Sequence, residues 1–169
     1  MVNWQAVETV LLDMDGTLLD LHYDNYFWLH FVPERFGELN GLTIEQAKAE
    51  IMPRIEAKKG LIQWYCTDFW SEQLKLDIAA LKHEVKEKIA VRPQVEPFLQ
   101  GLQASDKNVI LLTNAHRDSL DLKMAETGIG QYFDALVSTH DYGLPKEQQG
   151  LWHALMRDHP FVPKNTLLV

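Results

Sequence analysis

The chain has 169 residues, 46% of them hydrophobic, and a formal net charge of −8 at pH 7. That length suits one domain, or one domain carrying an insertion, with enough apolar residues for an ordinary core. The acidic balance argues against non-specific binding to nucleic acid or an anionic membrane, yet an anionic substrate could still be held by a local cation.

Residues 1–5 carry no basic n-region, so no signal peptide is expected, and no apolar run approaches the roughly 20 residues of a membrane span. Residues 7–12 read as a buried strand. It runs into Asp13-Met14-Asp15-Gly16-Thr17, two carboxylates two positions apart followed by a Gly-Thr turn. Side chains i and i+2 share a face of a strand, so Asp13 and Asp15 aim at one place. Their mutual repulsion is costly unless a cation or a shared proton joins them. Such a pair suits a metal-assisted enzyme with a carboxylate nucleophile, and the plainer alternative is an Asx turn with two solvated aspartates.

Residues 21–90 read as largely helical. Thr43 and Gln46 form a capping-box pattern ahead of a helix over 43–58, which Pro53 should kink and Gly60 should end. Residues 61–75 hold Trp64, Tyr65, Phe69 and Trp70 around the single cysteine, Cys66. One cysteine excludes an internal disulfide and fits a reducing cytoplasm. With those neighbours, Cys66 reads as a buried structural thiol rather than a nucleophile. A Lys/Glu-rich amphipathic helix is expected over 77–90. Beyond Pro93 come a helix (95–103), a strand (108–112) ending in Thr113-Asn114, a helix (119–126) stopped by Gly128, a strand (135–138), a helix opened by Lys146, and a strand from Thr166.

Strands separated by helices predict an α/β fold with a parallel sheet, whose sites lie at the carboxyl ends of the strands. Asp13, Asp15, Thr113 and Asn114 fall at such ends, and Lys146 follows the third strand after a short loop. The helical stretch between the first two strands is too long for a simple crossover. The predicted organisation is a core of residues 1–20 and 91–169 with an inserted helical cap of residues 21–90.

Asp13-Met14-Asp15-Gly16-Thr17, Thr113-Asn114 and Gly143-Leu144-Pro145-Lys146 resemble, in order and spacing, the first three motifs of the haloacid dehalogenase-like (HAD) hydrolases, and residues 21–90 resemble that family's C1-type cap. The resemblance covers essentially the whole chain. It implies a Rossmannoid α/β core and a Mg²⁺-dependent phosphomonoesterase. In that family's pattern Asp13 attacks phosphorus to form an aspartyl-phosphate, and Asp15 protonates the leaving oxygen and then activates water. Mg²⁺ would be held by the Asp13 carboxylate and the Asp15 carbonyl. Thr113 and the Asn114 backbone N–H would bind phosphoryl oxygens, and Lys146 would neutralise the phosphoryl group and orient Asp13. An acid at Asp15 favours a phosphatase over a dehalogenase, because an alkoxide leaving group needs a proton and a halide does not. Segments around Asp24–Trp28, Trp64–Cys66, Phe69–Leu74, Leu111–His116 and Leu151–Ala154 further resemble the purine 5′-nucleotidases of this superfamily. That implies a purine nucleoside 5′-monophosphate, GMP or IMP, as the small-molecule partner.

The pattern departs from the family at its end. The fourth motif, acidic residues after the fourth strand, should begin where the chain stops at Val169. The expectation is a sequence cut short, with weakened Mg²⁺ binding and an exposed apolar edge at the last strand. Trp28, Trp64 and Trp70 read first as core of a small helical cap, with stacking on a base as the alternative. Tyr23, Asp24, Asn25 and Tyr26 either face the pocket or form the cap entry. His116 either contacts substrate or caps the next helix. Asp141 either orients Lys146 or is solvated, and His153 and His159 read as surface residues. A phosphosugar phosphatase or phosphoglucomutase-like enzyme is the rival reading, kept open by Arg35 and Arg54, and an inactive short form is the other.

Overall fold

A computed structural model describes residues 2–169. Four parallel strands form one sheet in the order β3-β2-β1-β4: β1 (Thr9–Leu12), β2 (Asn108–Thr113), β3 (Ala135–Ser138) and β4 (Thr166–Leu168). Leu11 pairs with Ile110 on one side and Leu168 on the other. All four β1 residues are buried, as expected of a strand covered on both faces. On one face Val10, Leu12, Val109 and Leu111 pack under Leu99 and Leu102 of α6 (Val95–Gln103) and Leu120 and Met124 of α7 (Arg117–Thr127). On the other face Leu11, Ile110, Leu112 and Val137 pack against Leu155 of α8 (Gln149–Asp158). The predicted α/β class is therefore the one observed. β4 lies at the sheet edge, with Leu168 and Val169 about half exposed.

Between β1 and β2 the chain is helical. α1 (His22–Tyr26) continues through a π-helical turn, Phe27–Phe31, into α2 (Val32–Asn40), which ends at Gly41 in the left-handed region (φ 67°). α3 (Ile44–Glu56) opens on the predicted Thr43/Gln46 capping box and runs through Pro53 to its last turn. Proline forfeits only its own N–H bond, and here it does so on an exposed face near the helix end. α4 (Thr67–Leu74) follows, then α5 (Ile78–Glu84), capped by the Asp77 side chain. The helix expected over 77–90 is shorter, because Val85 leaves helical geometry (φ −123°) and a 3₁₀ turn, Lys86–Lys88, takes over. The helices share a core of Tyr23, Phe27, Val32, Ile51, Trp70 and Ile78, to which Leu122 of α7 contributes from the sheet side.

The connections into and out of this helical stretch run side by side. Asp20 N–H donates to the Ala90 carbonyl and Arg92 N–H to the Leu18 carbonyl, both at 2.9 Å. Among the described residues no helix is long and apolar enough to cross a membrane.

Candidate active site

The chain turns sharply at the end of β1. Asp13 N–H donates to the Val169 carbonyl (2.9 Å), and Asp13 Oδ1 accepts from Met14 N–H (2.8 Å). Gly16, at φ +81°, closes the turn, and its N–H bonds the Leu19 carbonyl at 2.9 Å. A Cβ there would sit 3.4 Å from Leu21 in a conformation L-residues rarely adopt.

The Asp13 carboxylate is open to solvent over about a third of its side chain, and Lys146 Nζ pairs with its Oδ1 at 2.7 Å. Lys146 was expected to open a helix. It lies instead in the turn ahead of α8, because its backbone is committed elsewhere. Its N–H donates to Asn114 Oδ1 (2.9 Å) and its carbonyl accepts from Trp152 Nε1 (3.0 Å). Asn114 Oδ1 also accepts from the Thr139 hydroxyl (3.1 Å), and its Nδ2 donates to Glu147 (3.1 Å). The buried Asn114 side chain is thus a strut that holds the lysine loop against the end of β2. Thr113 Oγ1 accepts from Ala115 N–H (3.1 Å); its own hydroxyl proton has no acceptor among the described residues and is free to donate.

Asp15 has a different environment. Its Oδ1 accepts from Lys123 Nζ at 2.6 Å, and the same ammonium bonds Asp24 Oδ2 at 2.6 Å. Lys82 Nζ lies 3.5 Å from Asp24 Oδ1 and sits over the rings of Phe27 (4.6 Å) and Tyr23 (5.2 Å). Lys123 comes from α7, Asp24 from α1 and Lys82 from α5, so the network joins the sheet to the helical stretch. Both lysine side chains are buried, 2% and 5% exposed, while the Asp15 and Asp24 carboxylates keep about a quarter and a fifth of their side-chain surface open.

Two lysines and two carboxylates do not share evenly. Burial raises both carboxyls, but Asp24 lies against Lys123 and Lys82 together and is held below its ordinary value. Asp15 has Lys123 alone. Burial dominates there, the neighbouring Asp24 charge adds to it, and the Asp15 carboxyl is raised. Burial brings the Lys82 ammonium down to about 8 against the pull of Asp24. The two aspartates predicted to converge each carry a separate lysine, Lys146 on Asp13 and Lys123 on Asp15.

Two hard oxygens remain uncommitted. Among the described residues, Asp13 Oδ2 and the Asp15 carbonyl accept no hydrogen bond. One carboxylate oxygen and one carbonyl, neither engaged in a hydrogen bond, fit the donor chemistry of Mg²⁺.

A cavity of about 490 Å³ adjoins Asp15. Its lining is mixed: the charged Asp15, Asp24, Lys82 and Lys123, and the largely apolar Trp28, Met52, Trp64 and Tyr65, with Lys82 Nζ 5.9 Å from the Trp28 ring. Trp70 is core, as read from the sequence, and its Nε1 donates to the Trp64 carbonyl at 3.1 Å. Trp28 and Trp64 are only partly buried and line the cavity, which keeps open the alternative of stacking on a base beside their reading as core. Tyr23 is buried, whereas Asp24 and Asn25 face the cavity.

The remaining candidates do not line this cavity. Cys66 is half-buried rather than buried, and its Sγ accepts from Phe69 N–H (3.4 Å) at the start of α4. His116 caps α7 by accepting from Asp118 N–H (3.4 Å), and its Nδ1 lies 2.7 Å from the Thr67 hydroxyl. Asp141 neither orients Lys146 nor stands free: it pairs with Arg117. Burial, with help from the neighbouring His116, pushes His140 down to about 4.

Lys123, Lys82 and Glu147 are not singled out by the sequence. For Lys123 a signal was present. Helical spacing puts it on the face of Leu120, Met124 and Thr127, a cation on an apolar stripe. Its partners are 99 and 108 residues away, beyond local pattern.

The arrangement has known counterparts. A family model described as haloacid dehalogenase-like hydrolase matches residues 7–169. The GMP/IMP nucleotidase YrfG of Escherichia coli is 46% identical over 168 residues, which is 99% of this chain and 76% of that protein. A HAD phosphatase from Thermococcus onnurineus superposes with a TM-score of 0.84 at 21% identity, over 96% of this chain and 76% of its own. A protein described as a putative beta-phosphoglucomutase, from Thermotoga maritima, gives 0.66 at 19% identity, over 96% and 75%.

Proposed function

Because the chain belongs to the haloacid dehalogenase-like hydrolases, we propose that it is a phosphomonoesterase that forms an aspartyl-phosphate on Asp13 and acts on purine nucleoside 5′-monophosphates, GMP and IMP foremost. Residues 1–20 and 91–169 are its catalytic core, and residues 21–90 a cap over the site. The observation that carries the substrate assignment is the cavity beside Asp15, whose lining combines the charged Asp15, Asp24, Lys82 and Lys123 with the aromatic Trp28, Trp64 and Tyr65. Aromatic faces bind bases at about 1–3 kcal/mol each in single-strand binders, and the 46% identity to a GMP/IMP nucleotidase points the same way.

The residues divide the work. Asp13, the more exposed carboxylate, attacks phosphorus while the ester P–O bond breaks. Asp15, raised by burial, holds the proton that passes to the departing ribose oxygen. The resulting Asp15 carboxylate then takes a proton from the water that hydrolyses the Asp13 phosphate, which restores both groups. Lys146 neutralises the phosphoryl oxygens and keeps Asp13 in place, and the free Thr113 hydroxyl donates to one of those oxygens. Lys123 is a positioning residue for Asp15. Mg²⁺, held by Asp13 Oδ2 and the Asp15 carbonyl, would supply charge neutralisation at the phosphoryl group. The setting proposed is the cytoplasm, where Cys66 stays reduced.

The test is phosphate release from IMP, GMP, AMP and hexose phosphates, with Mg²⁺ and with EDTA. Release from IMP and GMP ahead of the others, lost in EDTA, is expected. Faster release from a hexose phosphate would move the enzyme to the phosphosugar class, and no release from any of them would overturn the activity.

A further inference from the structure

A second group of ligand-type side chains, none of them assigned to the phosphate chemistry, lies where the helical stretch meets the rim of the sheet. Cys66 Sγ, a ring nitrogen of His116 and a ring nitrogen of His140 all fall within 4.8 Å of one another. Cys66 stands at the start of α4, His116 in the loop after β2, and His140 in the turn after β3. Three elements distant in sequence therefore deliver one thiol and two imidazoles to one point.

Two further observations point to a ligand there. His140 Nε2 is a buried polar atom with no hydrogen-bond partner among the described residues. Buried nitrogens are nearly always satisfied, so an orphan in a native fold calls for a missing partner. The His116 ring is also held in place. Thr67 Oγ1 lies 2.7 Å from its Nδ1, and Asp68 Oδ2 lies 3.6 Å from its Nε2. A hydrogen bond to the nitrogen away from an ion fixes the ring orientation.

We propose that Cys66, His116 and His140 form a binding site for a borderline-soft divalent transition metal of the Zn²⁺ class, which clamps the helical stretch onto the sheet. One sulfur and two nitrogens select Zn²⁺ or Co²⁺ and reject Mg²⁺, which takes oxygen. The fourth position of a tetrahedral ion is left to water, Asp68 or Asp118. Zn–S and Zn–N lengths are about 2.3 and 2.0–2.1 Å, and three atoms within 4.8 Å of one another reach them with small side-chain rotations. The site also touches the phosphate machinery. His116 is two residues from Asn114, whose side chain holds the Lys146 loop. An ion bound there restrains the motion between Cys66 and the rim and slows turnover.

The test is titration of the whole chain with Co²⁺ alone, followed by its thiolate-to-cobalt charge-transfer band and visible d–d spectrum, with Zn²⁺ competition. The account predicts one saturating equivalent, a tetrahedral spectrum with the charge-transfer band, displacement by Zn²⁺ and indifference to excess Mg²⁺. Cys66→Ser removes the band, and His140→Ala weakens binding at least about tenfold. Circular dichroism checks that both variants fold. Asp13→Asn leaves the band unchanged. Saturable binding without the band, binding unaltered in Cys66→Ser, or a band lost in Asp13→Asn would each overturn the proposal. Because the readout is spectroscopic, these outcomes are independent of whether the phosphatase reading holds.

Discussion

Asp13 and Asp15 are the same residue two positions apart, and the fold makes them chemically unlike. Asp13 sits at a solvent-reached rim with one lysine on one of its oxygens and the other oxygen free. Asp15 is held in a four-membered network with Lys123, Asp24 and Lys82, the last three supplied by helices, and the two lysines are buried. Under the proposed mechanism Asp13 is the nucleophile and the raised Asp15 carboxyl the acid. Both charges come from the sequence motif, and the difference in their surroundings comes from which helices pack over each aspartate.

The sharpest break of that contrast is Asp13→Asn, which removes the nucleophile and leaves the Asp15 network intact. Steady-state assays with IMP are predicted to lose several orders of magnitude in kcat, with folding stability nearly unchanged.

Breaking the other pole has the opposite balance. Lys123→Met leaves Asp15 and Asp24 without their shared cation, and urea unfolding is predicted to show a loss of about 3–5 kcal/mol. Adding Asp24→Asn to it should recover part of that loss, a coupling that a double-mutant cycle measures. The surviving activity carries a second signature. Without Lys123 the Asp15 carboxyl rises further, so its proton is retained to higher pH and the alkaline limb of the pH–kcat profile moves upward. A limb that stays put would remove Lys123 from the control of Asp15.

A smaller effect separates the aromatic from the charged lining of the cavity. Trp64→Ala should raise KM for IMP by about 5- to 150-fold, the equivalent of one base stack, and leave a small aryl phosphate hydrolysed as before. An equal loss on both substrates would make Trp64 a structural residue.

The mildest prediction concerns acid stability. His140 titrates at about 4 in the folded chain against an ordinary 6.5. Between those values the unfolded chain binds more protons, so the stability His140 confers is complete above pH 6.5 and is lost as pH falls through about 4. Urea midpoints at pH 7 and 5 should differ less in His140→Gln than in the parent.

The sequence was readable where chemistry is local. Val10, Leu11 and Leu12 announce a strand buried on both faces, and Thr43 with Gln46 announces a helix start, because each rests on neighbours within a turn or a pleat. Lys146 was placed on the right rim but in the wrong element, since the bond from its N–H to Asn114 is tertiary and outweighs its helix propensity. The Lys123 network and the Cys66–His116–His140 cluster were not legible. Their members lie tens of residues apart, and only the closure of the helical stretch over the sheet brings them together. Trp28 and Trp64 were ambiguous for a different reason. An aromatic in a small helical core and one facing a cavity have the same helical periodicity, and partial burial alone separates them.

The claim on which the whole contrast rests is that Asp13 and Asp15 hold different roles, and trapping the covalent intermediate tests it most directly. The chain is turned over with IMP, quenched in acid and digested, and the peptide spanning residues 9–17 is sequenced by mass spectrometry. A phosphoryl group on Asp13, absent in Asp13→Asn, is the predicted result. A phosphoryl group on Asp15 or on a residue outside this peptide, or turnover that labels no residue, would contradict it.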